Sequence, residues 1–183
     1  MVRSRLITNS RRRALQERGG YSLIELIAVM AIAGILAVVA VPALGALNER
    51  RTNVAARLLL QDLLDTRQYA TSLGRTVWIE FDGMTEWRIR LEDPDQPGRA
   101  SALPLVDAGT GREHVVILGS DPFQNVALTE VDFDLQPRIG FDWRGRPLTD
   151  DDVLLVETGG ATFIGGVQVT VEPETGHARL LKP

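Results

Sequence analysis

From Leu26 to Leu47 the chain runs 22 residues without a formal charge, nearly all of them Leu, Ile, Val, Ala or Met. As a helix this run would be about 33 Å long, enough to cross the hydrocarbon core of a bilayer. Six arginines precede it (Arg3, Arg5, Arg11, Arg12, Arg13 and Arg18) against one acid, Glu17, a net of +5 over residues 1–20. The remainder of the 183 residues holds 14 basic and 23 acidic side chains, a net of −9. Arginines before the apolar run place the N-terminus in the cytoplasm and the body across the membrane. A basic start, an apolar run and an acidic body together predict an exported or membrane-anchored protein. So acidic a body is a poor partner for nucleic acid, whose phosphates are held by positive charge.

After Asn48 the helical period persists while the texture changes. Val54, Leu58, Leu59, Leu60, Leu63 and Leu64 recur at three- and four-residue spacings, with Arg57, Asp62, Asp65 and Arg67 between them. Gly74 is a natural stop, and Pro42 is the one breaker between Tyr21 and Leu73. A single helix over that span would be roughly 80 Å long. An apolar first half and an amphipathic second half make it an assembly element. The expected division is residues 1–20 as a leader peptide, 21–47 as the transmembrane half of the helix, 48–74 as its amphipathic half, and 75–183 as a β-rich extracytoplasmic domain.

From Arg75 the period becomes two. Val77, Ile79 and Phe81 alternate with Thr76, Trp78 and Glu80; Trp87, Ile89 and Leu91 alternate with charged neighbours, and Asp82-Gly83 supplies a turn. Residues 93–112 read as a long loop. Further strands are expected at His114–Leu118, Val126–Leu135, Arg138–Trp143, Val153–Glu157 and Val167–Glu172, with a closing strand ending near Leu181. The fold class is α+β.

Cysteine is absent, which excludes a disulfide framework, a thiolate metal site and a cysteine nucleophile. His114 and His177 are the two histidines, too few for a histidine cluster. No Gly-x-Ser-x-Gly element and no marked pair of carboxylates appears, so an enzyme is not expected. Asp150-Asp151-Asp152 lacks the spaced ligands and glycine of a calcium loop and reads as a solvated turn, with calcium the alternative. No cofactor is expected. Trp78, Trp87 and Trp143 read as core or sheet-face residues, and His114 as structural.

The informative junction is Gly19-Gly20-Tyr21-Ser22-Leu23-Ile24-Glu25-Leu26, where the basic leader meets the apolar helix. It resembles the type III signal sequence of type IV prepilins and type II secretion pseudopilins, with tyrosine where the family usually has phenylalanine. The resemblance implies cleavage between Gly20 and Tyr21 by prepilin peptidase on the cytoplasmic side, followed by N-methylation of Tyr21. It implies a single-pass inner-membrane subunit with a periplasmic C-terminal domain, assembled with other pilins or pseudopilins into a helical filament. A carboxylate at the edge of an apolar helix is costly unless paired. The Tyr21 amine freed by cleavage is a partner for the Glu25 of a neighbouring subunit, and such a pair would set register. Gly34 and Pro42 match positions where pilin helices loosen on packing.

Farther along, Ile139-Gly140-Phe141-Asp142-Trp143-Arg144-Gly145-Arg146-Pro147 and the later Val-x-Val-x-Val-Glu-Pro-Glu-Thr-Gly look like the GspH/FimT group of minor pilins. That likeness implies a long N-terminal helix packed on a C-terminal antiparallel β-sandwich of two sheets. It also implies an initiation or tip role in a type II secretion pseudopilus or a type IV pilus. Some FimT-type members bind DNA through a Gly-Arg-x-Arg element. Here Gly176-His177-Ala178-Arg179 stands in its place, so Arg179 and Lys182 are the candidate residues for a DNA-uptake alternative. Two further readings stay open. One is a secretory signal cut near Val38-Val39-Ala40 or Ala43-Leu44-Gly45. The other is a plain membrane anchor on a β-domain unrelated to pili.

Overall fold

The computed structural model describes residues 22–182, with the side chains of residues 39–44 outside that description. One helix, α1 (Leu23–Leu73), is followed by eleven short strands. The chain divides into two units, the boundary falling between Val41 and Pro42. Pro42 lies inside α1, where its ring removes one backbone hydrogen bond without ending the helix. Gly74 closes α1 with φ +67° and returns its N–H to the Ala70 carbonyl at 3.0 Å. This left-handed cap favours glycine.

Among the described residues no helix is long and apolar enough to cross a membrane. The apolar run counted in the sequence passes through residues 39–44, so the expected span falls partly outside the description.

The strands are β1 (Val77–Asp82), β2 (Glu86–Leu91), β3 (Leu103–Pro104), β4 (Val115–Ile117), β5 (Leu128–Asp132), β6 (Arg138–Phe141), β7 (Pro147–Asp150), β8 (Val153–Leu154), β9 (Gly159–Phe163), β10 (Gln168–Val171) and β11 (Ala178–Leu181). The first sheet runs β3-β2-β1-β6-β7-β8, with β4 also paired to β2; the second runs β11-β10-β9-β5. Every pairing is antiparallel. β3 and β4 share one edge of β2, β4 covering Glu86–Arg88 and β3 covering Arg90–Leu91.

A single core joins α1 to both sheets. Ala55, Ala56, Leu59 and Leu63 meet Val77, Ile79, Trp87, Ile139 and Phe141 of the first sheet and Ala161, Phe163, Val169 and Val171 of the second. The alternation expected in β1 and β2 therefore faces the core as read. Trp78, on the other face of β1, is buried with Ala102 and Leu148 in a small second cluster. Gly140 makes room for it, because a Cβ there would stand 2.4 Å from the Trp78 ring.

Several expectations are corrected. The buried stripe of α1 is Thr52, Ala55, Ala56, Leu59, Asp62, Leu63, Thr66 and Ala70, while Val54 and Leu64 are exposed. Small residues win because the helix lies close to the sheets, and a stripe of leucines would hold it away. Residues 93–112 are not one loop: they contain a 3-10 turn at Arg99–Ser101, β3, and a bridge from Val106 to Glu113. Val153–Glu157 yields only the two-residue β8, and β7 and β9 were not expected. Trp143 lies in the β6–β7 turn and is 55% exposed.

Candidate functional site

The cleavage and methylation residues, Gly20 and Tyr21, lie outside the described residues. Ser22 is the first described, and its Oγ accepts the Glu25 N–H at 3.3 Å. Ser22 and Glu25 thus stand in capping-box spacing at the start of α1, with the carboxylate in the first turn where the helix dipole favours it. Glu25 is exposed, as is every residue from Ser22 to Val38. Gly34 lies within α1, and a Cβ there would meet nothing within 4 Å. This segment therefore offers an uncovered apolar surface with one carboxylate at its start.

In the second unit, a buried acid ties helix to sheet. Asp62 Oδ2 accepts the Trp87 indole N–H at 2.7 Å, and its Oδ1 lies 3.0 Å from His114 Nε2. Asp62 is on α1, Trp87 on β2, and His114 just before β4, so one carboxylate joins three elements. The hydrogen bond to Asp62 raises the His114 pKa above its ordinary value against the opposing effect of burial; Asp107 and Asp65 add to the rise. The sequence reading put Asp62 among the polar residues of the helix. The signal that could have found it is its register: three residues after Leu59 and four before Thr66, it lies on the stripe that faces the core.

The Phe141–Pro147 segment forms a tied hairpin. Asp142 Oδ1 accepts the backbone N–H groups of Arg144 (2.9 Å) and Arg146 (2.8 Å), while its Oδ2 pairs with the Arg146 guanidinium at 2.7 Å. Arg67 of α1 donates to the Gly145 carbonyl at 3.1 Å, and Arg144 stacks 4.3 Å over the Trp143 ring. These arginines are occupied in holding a turn.

The Gly176-His177-Ala178-Arg179 element is the β10–β11 turn and the start of β11. Gly176 takes φ +63°, and Arg179 pairs with Glu172 at 3.2 Å. Lys182, just past the end of β11, lines a hollow with Asn48, Glu49 and Asn53. Asp150 is not part of a merely solvated turn. It ends β7 and receives Arg99 (3.1 Å) and Arg138 (2.9 Å), and the bond from Arg99 holds its carboxyl below the usual range. Asp151 accepts the Arg99 N–H at 2.7 Å. Among the described residues no group of His, Cys, Asp and Glu could hold a metal ion.

Residues 16–41 match the profile of the prokaryotic N-terminal methylation motif. The fold is similar to that of a solved minor pseudopilin. Two solved structures of the minor pseudopilin EpsH from the type 2 secretion system of Vibrio cholerae align with TM-scores of 0.51. One is 15% identical and covers 73% of this chain and 98% of its own length; the other is 13% identical and covers 73% and 95%. No curated protein sequence matches the chain.

Proposed function

We propose that this chain is a minor pseudopilin or minor pilin: a structural subunit that helps initiate or cap the filament of a type II secretion system or a type IV pilus. The observation that carries the reading is the coincidence of a methylation motif on residues 16–41 with a pseudopilin fold behind it. The chain is inserted in the inner membrane by its apolar segment, with the β-rich domain in the periplasm. Prepilin peptidase cuts after Gly20 and methylates Tyr21. The Ser22–Val38 surface, exposed in the free chain, is covered first by lipid and then by neighbouring subunits. The protein is not an enzyme. DNA uptake has less support, since Arg179 is already neutralised by Glu172.

Glu25→Ala tests the assembly step. Membrane insertion and cleavage should persist, because the arginines, the apolar run and Gly20 are intact. Co-purification with partner pilins should fall, since removing one partner of an ion pair in low dielectric costs about 3–5 kcal/mol. Glu25→Asp should be intermediate. Normal cleavage with wild-type co-assembly in Glu25→Ala would remove the ion pair from the mechanism.

A further inference from the structure

Leu135 is 89% exposed, and it stands at φ +65° directly after Asp134 at φ +52°. Phe133 and Gln136 exchange both backbone hydrogen bonds around them, at 3.1 and 3.2 Å. This is a two-residue turn of the type that asks for Asn-Gly or Asp-Gly. A leucine there carries a left-handed strain that glycine would not. The turn carries the chain from β5 in the second sheet to β6 in the first. Glycine would serve that crossing better, so the fold does not explain the leucine.

A second loop is fastened beside it. Asp134 Oδ2 accepts the Val156 N–H at 2.7 Å and its Oδ1 accepts the Glu157 N–H at 3.2 Å. Val156 is 75% exposed, and both apolar side chains line one shallow hollow with Asp132, Glu157 and Thr158. The Asp134 carboxylate thus fastens the loop carrying Val156 to the turn carrying Leu135, whose own N–H is held by Asp132 Oδ1 at 2.7 Å. The charged side chains lining that hollow, Asp132, Asp134 and Glu157, are all acidic. Two loops already fastened together lose little backbone freedom on binding, and an acidic rim selects a basic surface.

We propose that Leu135 and Val156 form a docking knob for a neighbouring pilin-type subunit whose surface offers an apolar hollow ringed by Lys and Arg. The partner class rests on the assembly function proposed above; the knob and its charge rest on the geometry. The acidic rim, repeated on an identical copy, disfavours self-pairing through this face.

The test places a photo-crosslinking residue at exposed Thr158 of the full chain in cells, leaving Leu135 and Val156 intact, with Ile117 on β4 as the control site. The adduct at position 158 should contain a co-produced subunit bearing the methylation motif, joined through a peptide with Lys or Arg. Its yield should exceed that at 117 at least tenfold, fall as salt is raised in a detergent extract, and drop at least tenfold in Leu135→Gly. The same Leu135→Gly chain should unfold at an equal or higher temperature, because its strain is relieved. A lower unfolding temperature would make Leu135 a residue of the fold and overturn the proposal. Equal yields at 158 and 117, an adduct to a second copy of this chain, or one that survives Leu135→Gly would also overturn it. A cleaved, inserted chain with no adduct sinks the docking knob alone; an uncleaved chain with no adduct counts against both the knob and the pilin reading.

Discussion

The two halves of α1 are built from opposite choices. Ser22 to Val38 is rich in Leu, Ile, Val and Met, and every residue is exposed. From Thr52 to Ala70 the stripe that meets the sheets is mostly Ala, Thr, one Asp and two Leu, and it is buried. The larger apolar side chains are on the half that is exposed among the described residues. Large side chains thus go with the exposed half, and small ones with the half packed on the sheets. A membrane or a filament can accept bulky side chains without a prescribed fit, whereas a sheet packed on a helix demands close approach.

The largest effect expected is at Leu59, fully buried between α1 and both sheets. Leu59→Ala should lower unfolding stability by about 3–4 kcal/mol through lost burial and a residual cavity. Ile32→Ala deletes as much apolar surface from the exposed half, yet should leave the unfolding midpoint of the second unit unchanged. Denaturant unfolding of both variants checks the contrast; equal losses would erase the distinction between the halves.

Asp62→Ala should come next, at about 2–3 kcal/mol, because it orphans the buried Trp87 indole N–H and removes the partner of His114. Near-wild-type stability would mean the helix–sheet joint rests on packing alone.

A smaller effect is expected with pH. His114 has a folded pKa raised above its ordinary 6.5 by Asp62. Its contribution is therefore fully present below about 6.5 and is lost as pH rises through the folded value. Unfolding temperatures measured from pH 6 to pH 8 should decline more in wild type than in His114→Gln. Identical slopes would separate His114 from the proton linkage.

The halves of α1 also differ in how far they could be read. The apolar run is enough to expect a helix in the first, and the described helix begins at Leu23, just past the Gly20-Tyr21 junction. The second shows its helical period but hides its face, since Ala55, Ala56 and Thr66 carry little apolar signal. The same holds among the strands. β1, β2 and β10 alternate cleanly and were legible. β9 reads Gly-Gly-Ala-Thr-Phe, with no alternation of large side chains. Its glycines are there because Phe133 and the Val169 carbonyl come within 2.6 Å of where a Cβ would be. The turn at Asp134-Leu135 was illegible because leucine gives no turn signal. Asp62 was missed because its partners are 25 and 52 residues away in sequence, joined only by the fold.

The central claim is that the exposed half of α1 begins at a processed end. The most direct measurement is the intact mass and N-terminal sequence of the mature protein purified from membranes. The account predicts a chain starting at Tyr21 with a methylated amine. A mature chain starting near Val41 or Ala46 would contradict it, because the apolar half of the helix would then be a discarded signal.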